Sequence, residues 1–218
     1  NSRPGEGTEE AARRLRLESW RMLARPGKDV VALAHNANDR IENMFLRMIR
    51  GSNSSGVTSM REYQELKGLV IVRPLLGVPR AEIEKFLAVR GIFDFRMDSS
   101  NRENDFRRNY LRNVLLKKLF SRFCDAEGGL LSAFEAIRCD ADFIEQSALK
   151  ISGEIKDAAA IPLALVRGTH PAVLIRVLRY WLSEKFQEDV IPDGNLLERL
   201  ISESAKFADS SGMKELSI

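Results

Sequence analysis

His35, Asp39 and Glu42 are the residues of this chain whose types and spacing most suggest chemistry. They come at the end of, or shortly after, the apolar run of residues 29–35, which is too short for a helix and typical of a buried parallel strand. Open α/β sheets bind ligands outside the carboxyl ends of their strands. There the two carboxylates could hold Mg²⁺, and the start of the next helix could approach an anion. The alternative is that the two acids only favour the helix start and that the histidine only makes a hydrogen bond.

A second set of candidates is basic. Arg108 and Arg112 lie four residues apart, so both project from one face of a helix. Residues 102–122 contain seven basic and two acidic side chains, although the whole chain carries a net charge of only +3. Such a segment is typical of phosphate or nucleic-acid contact, and the alternative is a solvated basic face. Arg73 could bind substrate at the end of a strand or simply be exposed there, and Arg80 could simply belong to a helix start.

Hydrophobic periodicity predicts the elements that must position these residues. Strands are predicted over residues 29–35 and 69–73, and helices over residues 8–25, 38–50, 79–90, 104–122, 130–151, 170–186 and 194–205. A loop is expected over residues 51–59. Strands that alternate with helices, followed by helices alone, predict an α/β region and then an all-α domain. Two strands are too few for a stable doubly wound sheet, so partner strands are expected upstream of Asn1.

The composition excludes several classes of protein. No apolar stretch approaches the length that crosses a bilayer and the first residues are polar, so we expect a cytoplasmic protein without a membrane anchor. Cys124 and Cys139 lack metal-ligand spacing and are too few for a disulfide framework, so we expect reduced thiols in helices away from the site. Tyr180, Trp181 and Phe186 fall in an apolar helix pattern and are expected in a core rather than stacked on bases.

Six segments in order along nearly the whole chain carry motifs of one family. They are residues 5–13, 35–51, 73–83, 98–101, 108–112 and 178–182. The second of them resembles the HHxDDQxET…LLRLLRG signature of the tRNA(Ile)-lysidine synthases, and the third and fifth resemble their RPLL…RxEI and RNxxR motifs. These enzymes belong to the PP-loop ATP pyrophosphatase group. A match to any one of these motifs is weak evidence, but six matches in the same order are hard to obtain by chance.

The chain also departs from the family pattern. The second His of the signature is Asn36 here, its first Asp is Asn38, its Gln is Arg40 and its Thr is Asn43. The SGGxDS loop, with which the family grips the phosphates of ATP, is absent. We expect that loop upstream of Asn1, and we expect this chain to be a fragment at both ends that is inactive by itself.

The resemblance implies a tRNA-modifying ligase. The family adenylates the C2 oxygen of the wobble cytidine with ATP, and the amine of lysine then displaces AMP to leave lysidine. The implied cofactors are ATP and Mg²⁺, and the implied partners are tRNA(Ile) with a CAU anticodon, L-lysine and, as an open question, a second copy in a homodimer. Residues 1–95 would be the C-terminal part of a Rossmann-like PP-loop domain whose sheet is truncated at its N-terminal side. Residues 96–218 would be a helical domain that binds tRNA and substrate.

Matched positions in the motifs imply roles for individual residues. Asp39, His35 and Arg112 are the expected catalytic residues. Asp39 would also hold Mg²⁺ and, together with Glu42, the nucleotide. Contacts to tRNA and substrate are expected from a basic and polar set, namely Arg73, Arg80, Asn101, Arg108, Asn109 and Arg112.

Two other functions stay open on the sequence. A tRNA-binding remnant without catalysis would keep the basic helix, and Asn36, Asn38 and Arg40 would then mark a decayed site. Another PP-loop enzyme, such as a tRNA thiolase, would share the crevice after the first strand, but thiolases usually carry working cysteines. An SGGxDS loop in the upstream coding sequence would separate a working synthase from a remnant.

Overall fold

The computed structural model describes residues 7–25, 27–66, 68–94 and 107–186, together with residues 199 and 202. Its first half contains α1 (Thr8–Leu23), β1 (Val30–Ala32), α2 (Ala37–Ile49), α3 (Ser54–Val57), β2 (Tyr63–Leu66), β3 (Leu69–Val72) and α4 (Arg80–Val89). Its second half contains α5 (Arg107–Tyr110), a π-helical segment (Leu111–Leu116), α6 (Lys117–Arg122), α7 (Ala126–Glu154), α8 (Leu163–Gly168) and α9 (Pro171–Phe186). The predicted order, an α/β region followed by helices, is confirmed.

The described strands form one small sheet in the order β1-β3-β2. β1 pairs with β3 in parallel, with Val30 opposite Val70 and Ala32 opposite Val72. Both strands were predicted, and both are shorter than their apolar runs. β2 pairs antiparallel with β3 and was not predicted. The two-residue link between β2 and β3 contains Gly68 at φ +79°, a left-handed conformation that glycine adopts without a steric penalty.

The two predicted strands differ in burial. In β3, Leu69 and Ile71 are buried, as expected for a strand packed on one face. The expectation of a buried strand is wrong for β1, because Val30 is 59% exposed and Ala32 is also exposed. Among the described elements β1 pairs only with β3, so one of its edges has no described neighbour.

The helices of the first half agree with the predicted ones except in one place. α1 and α4 lie within the predicted segments, and α4 begins directly after Pro79. α2 begins and ends one residue before its predicted bounds of 38–50. The loop expected over residues 51–59 instead contains the short helix α3. Its N-cap is Asn53, whose side-chain oxygen accepts a 2.9 Å hydrogen bond from the backbone N–H of Gly56. A single turn has too few residues to show helical periodicity.

Residues 107–122 form one continuous helical stretch, which the sequence predicts as residues 104–122. The start of that prediction lies outside the described residues. The middle of the stretch, Leu111–Leu116, is π-helical, a local widening that is frequent at functional sites. Leu111 and Leu116 are buried against Ile41 of α2, so this stretch packs directly on the helix that follows β1.

The chain divides into two compact units, residues 1–137 and residues 138–218. The helical stretch of residues 107–122 therefore belongs with the sheet. The predicted domain boundary between residues 95 and 96 stays a prediction.

The second unit has its own core, formed by Ala148, Ile155 and Val177. Tyr180 and Trp181 pack against this core, which confirms their predicted role, whereas nothing is described of the Phe186 side chain. The short helix α8 was not predicted. The helix predicted over residues 194–205 lies outside the described residues except for residues 199 and 202.

Two further expectations concern cysteines and membranes. Cys124 and Cys139 are free and exposed, and Cys124 lies in the connection between α6 and α7 rather than in a helix, which corrects the prediction. Among the described residues, no helix is both long enough and apolar enough to span a bilayer.

Candidate active site

The site begins where β1 leads into α2. Asn36 is the N-cap of α2, and its side-chain oxygen accepts a 3.1 Å hydrogen bond from the backbone N–H of Asp39. The Asp39 carboxylate in return accepts a 3.0 Å hydrogen bond from the backbone N–H of Asn36. This reciprocal capping box fixes the start of α2. It also holds the Asp39 carboxylate at the positive end of the α2 dipole.

The other oxygen of Asp39 contacts the basic helical stretch. Oδ1 accepts hydrogen bonds from Nη2 of Arg108 at 2.8 Å and from Nη2 of Arg112 at 3.2 Å. One turn further along α2, Glu42 accepts from Nε of Arg108 at 2.8 Å, and from Nε and Nη2 of Arg112 at 2.5 and 2.8 Å. We refer to Asp39, Glu42, Arg108 and Arg112 as the carboxylate–arginine cluster. Four of the predicted site residues are thus brought together.

The carboxylate–arginine cluster is electrostatically matched. Two negative and two positive side chains compensate one another, and the Glu42 side chain is only 2% exposed. The hydrogen bond from Arg112 to Glu42 raises the pKa of Arg112, although burial opposes this shift. A buried charge needs such partners, because removing it from water is costly. The arginines keep 31% and 29% of their side-chain surface exposed, so their outer edges remain accessible to a ligand.

The side chain of His35 is positioned by a residue that directly follows β3. Nε of Arg73 donates a 3.2 Å hydrogen bond to Nδ1 of His35. Because Nδ1 accepts, a neutral His35 must carry its proton on Nε2. Burial lowers the pKa of His35, the Asp39 carboxylate opposes this effect, and the charges of Arg73, Arg108 and Arg16 reinforce it. His35 is therefore a neutral N–H donor at pH 7.

Arg73 is buried and donates hydrogen bonds to three different groups, rather than being an exposed residue at the end of a strand. It is 9% exposed, directly after β3. Its Nη1 donates to the backbone carbonyl of Arg61 at 2.7 Å, and its Nη2 donates to Oε1 of Gln64 on β2 at 3.2 Å. The alternative of an exposed Arg73 is therefore wrong. The strand that was not predicted supplies one of the contacts that fix this side chain.

Asn38 links the starts of three helices. Its Oδ1 accepts a 2.8 Å hydrogen bond from the backbone N–H of Arg80, the first residue of α4. Its Nδ2 donates a 2.9 Å hydrogen bond to Oε1 of Glu127 in the first turn of α7. A carboxylate at position 38 could not donate to Glu127. This contact gives a physical reason for the asparagine that replaces the aspartate of the resemblance.

Arg40 takes part in a second buried contact that the sequence did not indicate. It is 6% exposed, and its Nη1 forms a 2.5 Å ion pair with Glu135 of α7. Its guanidinium also lies 4.9 Å from the ring centroid of Phe134. A buried arginine therefore links α2 to α7. The family signature has a glutamine at this position.

The remaining predicted site residues lie apart from the carboxylate–arginine cluster or outside the description. The Arg80 side chain is half exposed and pairs with Glu84 within α4. Asn109 is half-buried on α5 between the two cluster arginines. Asn101 lies outside the described residues. No local signal in the sequence could have indicated the contacts of Gln64, Glu127 or Glu135, because each joins segments far apart in the chain.

The side chains expected to hold Mg²⁺ are engaged by other groups. Both oxygens of Glu42 and one oxygen of Asp39 accept hydrogen bonds from guanidinium groups, and the other oxygen of Asp39 accepts from the backbone N–H of Asn36, so the two acids do not face a shared vacant position. Among the described residues, no three histidine, cysteine or acidic side chains lie close enough to share a metal ion. The described residues therefore do not fit a metal site as arranged. They offer cationic and N–H donors beside a helix N-terminus, a combination suited to an anion.

Comparison with known proteins places this geometry in a family context. A family model described as "PP-loop domain" matches residues 1–119, which is more than half of the chain. The tRNA(Ile)-lysidine synthase of Symbiobacterium thermophilum is 40% identical over 131 residues, which cover 57% of this chain and 27% of that protein. The Haemophilus influenzae protein of the same name is 30% identical over 201 residues, covering 90% and 45% of the two chains.

A third relative, the tRNA(Ile)-lysidine synthase of Pseudomonas putida, is 28% identical over 190 residues, covering 84% of this chain and 44% of that protein. The chain thus spans less than half the length of these curated relatives. The match over residues 1–119 contains the described strands and the whole carboxylate–arginine cluster. On this match and the α/β architecture that carries the site, the chain belongs to the PP-loop family.

Proposed function

We propose that this chain is part of a tRNA(Ile)-lysidine synthase, a ligase that adenylates the wobble cytidine of tRNA(Ile) and attaches lysine to it. Three relatives from different bacteria carry that name. A tRNA thiolase is not favoured, because Cys124 and Cys139 are exposed and neither takes part in a described contact at the site. A catalytically decayed remnant is not favoured either, because the relatives carry the name of an enzyme.

The observation that carries the proposal is the carboxylate–arginine cluster. It joins two motifs of the resemblance that are about 70 residues apart, at the carboxyl end of β1. Buried ion pairs are weak contributors to stability, so selection for stability alone gives little reason to assemble four charges here. A reaction that needs positioned cations beside a developing negative charge does give such a reason.

In this proposal the chain's own residues bind and orient the substrates. ATP, when bound, supplies the adenylyl group. Arg108 and Arg112 present their exposed edges to the phosphate or to the negative charge that develops on the cytidine oxygen. His35 donates its Nε2 proton in a hydrogen bond and remains neutral. No step is assigned to Mg²⁺, because Asp39 and Glu42 do not form a metal site as arranged.

Several partners belong to the same proposal. L-lysine and tRNA(Ile) with a CAU anticodon would be the substrates, and the cytoplasm would be the location. The helical second unit would contribute to tRNA binding, together with the substrate contacts predicted for Arg73, Arg80, Asn101 and Asn109. A homodimer stays a prediction that requires a measurement of mass in solution.

The test uses the full-length gene product with ATP, Mg²⁺, labelled lysine and a tRNA(Ile) transcript that bears a CAU anticodon. We expect label on the RNA that requires ATP. The Arg112→Ala variant should lose at least about a hundredfold in rate while keeping its circular dichroism spectrum. Arg90→Ala, at the exposed C-cap of α4 and outside the motifs of the resemblance, is the matched control and should keep full activity.

Each alternative predicts a different result in the same assay. Binding of tRNA without incorporation of lysine would favour the decayed remnant and refute the synthase. Transfer of sulfur from a sulfide donor, without incorporation of lysine, would favour a thiolase. Unchanged turnover in Arg112→Ala would contradict the role proposed for the carboxylate–arginine cluster.

A further inference from the structure

Gln64 lies on β2, outside the six motif segments of the resemblance, and it contacts Arg73. In the antiparallel pairing of β2 with β3, Gln64 lies opposite Ile71. Residues two apart along a strand project from the same face of the sheet, so Arg73 follows Ile71 on the face to which Gln64 belongs. The backbone N–H of Arg73 donates a 2.8 Å hydrogen bond to the carbonyl of Glu62, so the pairing extends to Arg73. The strand register thus brings the Gln64 side chain to Arg73.

Three side chains follow one another across the sheet in the order of the strands β1-β3-β2. His35 follows β1, Arg73 follows β3, and Gln64 lies on β2. Arg73 donates from Nε to Nδ1 of His35 and from Nη2 to Oε1 of Gln64, both at 3.2 Å. Its Nη1 donates to the carbonyl of Arg61 at 2.7 Å. A planar guanidinium held at both terminal nitrogens has a fixed plane, so its Nε–H bond stays directed at His35.

The described acceptors of Arg73 are all neutral. They are an imidazole nitrogen, an amide oxygen and a backbone carbonyl, and none of its described contacts is with a carboxylate. A buried charge without a counter-charge is costly, and a glutamate at position 64 would supply one while keeping an acceptor. The neutral amide of Gln64 instead leaves the charge of Arg73 uncompensated beside His35.

We propose that Gln64 is a positioning residue of the candidate active site. Its side-chain oxygen fixes the Arg73 guanidinium, which in turn holds the His35 ring in one orientation with the proton on Nε2. Its lack of charge leaves the Arg73 cation free to keep His35 neutral. The inference deepens the proposed function and rests on it for the role of His35 toward substrates, whereas the orientation of the ring is a property of the protein alone.

The experiment observes the His35 ring directly, in the full-length gene product without substrates. Nitrogen-15 NMR of histidine-labelled protein distinguishes protonated from unprotonated ring nitrogens, and the His35→Gln variant assigns the resonances. Gln64→Met removes the acceptor at nearly constant size, whereas Gln64→Glu keeps an acceptor and adds a charge. Glu65→Gln is the matched control, because Glu65 is an exposed neighbour on β2 that projects from the other face.

The first readout is the tautomer at pH 7.5. In the unmodified protein we expect His35 to be protonated on Nε2 and unprotonated on Nδ1. Gln64→Met should move the two resonances toward each other, because a ring that is no longer held exchanges between its two tautomers. Gln64→Glu and Glu65→Gln should keep the single tautomer.

The second readout is the titration of His35. Besides Arg73, the groups whose charges act on His35 are Asp39, Arg108 and Arg16. Gln64→Glu should raise the pKa of His35, because the added carboxylate compensates the charge of Arg73. Glu65→Gln should leave the pKa of His35 unchanged. In the lysine-incorporation assay, Gln64→Met should lower the rate about tenfold or more, since His35 is no longer held in place.

Two results would overturn the inference. One is a His35 tautomer in Gln64→Met that equals that of the unmodified protein, and the other is a proton on Nδ1 in the unmodified protein. If circular dichroism shows that Gln64→Met does not fold, Gln64→Glu decides, because an unchanged pKa of His35 would refute the role of the neutral amide. A failure of lysine incorporation by the unmodified protein would refute the proposed function and leave the NMR result intact.

Discussion

At the scale of single residues, the site is built on charges that fix one another. Glu42 is almost fully buried, and its carboxylate accepts three hydrogen bonds from two arginines. Asp39 uses one oxygen for the capping box of α2 and the other for the same two arginines. Neither acid is free to rotate without breaking several contacts, so both serve first to position the arginines.

Glu42→Gln tests this interdependence. The substitution keeps the size of the side chain but leaves two partly buried guanidiniums undercompensated, so the free energy of unfolding should fall by about 3 kcal/mol. The matched control is Glu84→Gln, which removes an exposed partner of Arg80 and should cost less than about 0.5 kcal/mol. Urea unfolding followed by circular dichroism measures both values. Equal costs for the two variants would show that the carboxylate–arginine cluster is not held as described.

His35 predicts how stability depends on pH. Its pKa is lowered in the folded state, mainly by burial, so the unfolded chain binds more protons as the pH falls. This contribution is complete above about pH 6.5 and is lost as the pH falls toward the folded pKa, with a slope of at most about 1.4 kcal/mol per pH unit.

The variant His35→Gln should therefore lose less stability than the unmodified chain between pH 7 and pH 5. Gln can still accept a hydrogen bond from Arg73, so the comparison isolates the titration. Thermal unfolding across this range is the measurement, with the exposed His170→Gln as control. Parallel curves for the unmodified chain and His35→Gln would refute the assignment.

At the scale of elements, the starts of helices α2, α4 and α7 are tied together by one side chain. Asn38 accepts from the first backbone N–H of α4 and donates to Glu127 in α7. A change at this position therefore acts on the ends of helices rather than on a local contact. It also shifts the helix that presents Asp39 and Glu42.

The variant Asn38→Asp separates the two contacts. An aspartate can still accept from α4, but it faces Glu127 with a like charge and no donor, so we expect a loss of about 1 to 2 kcal/mol in stability. Adding Glu127→Gln restores a donor–acceptor pair and should recover most of that loss. The double-mutant cycle is read from chemical denaturation. Additive costs would mean that the two side chains do not interact.

The sequence predicted an element well where it has a continuous apolar run or apolar residues at helical spacing. β1, β3 and the long helices are of this kind. β2 was not predicted, because Tyr63–Leu66 has two adjacent polar residues at its centre and no buried residue, so it shows neither an apolar run nor a strict alternation. The short helices α3 and α8 have too few residues to establish a period. The π-helical segment depends on the packing of Leu111 and Leu116 against α2, which no local pattern encodes.

For the site, the sequence indicated which residues matter but not which partners they have. His35, Asp39, Glu42, Arg108 and Arg112 were all expected from motifs. The contacts between these residues were not predicted. Each contact joins residues about 40 to 70 positions apart in the sequence and depends on how the sheet and helices pack. Arg40 is the clearest example of a contact that the sequence does not predict. A charged residue in a helix is expected on the surface, and Arg40 is buried.

At the scale of the whole molecule, each of the two compact units contains its own buried polar centre. In the second unit, Arg176 is 5% exposed and donates a 3.1 Å hydrogen bond to Glu145. The hydroxyl of Tyr180 donates to the same carboxylate. Burial, followed by the hydrogen bond to Glu145, raises the pKa of Tyr180 to about 12.

This centre predicts a titration that reports on the second unit alone. One of the three tyrosines should ionise near pH 12, and Tyr180→Phe should abolish that step in the ultraviolet spectrum. Glu145→Gln should lower the pH of the step, because it removes a negative charge beside the phenol. Tyr110→Phe, at an exposed position in the first unit, should leave the step in place. A step near pH 12 that survives Tyr180→Phe would contradict the assignment.

The neutrality of the carboxylate–arginine cluster has a consequence for how a polyanion would sense it. Two positive and two negative groups in one compact arrangement have no monopole, and the potential of such a multipole decays much faster with distance than that of a single charge. An approaching anion would therefore be attracted first by the exposed basic side chains at the end of the helical stretch of residues 107–122, and would sense the cluster only on contact. Added salt should slow the approach far more than it alters the fit, since counterions screen long-range fields and leave short buried pairs largely untouched.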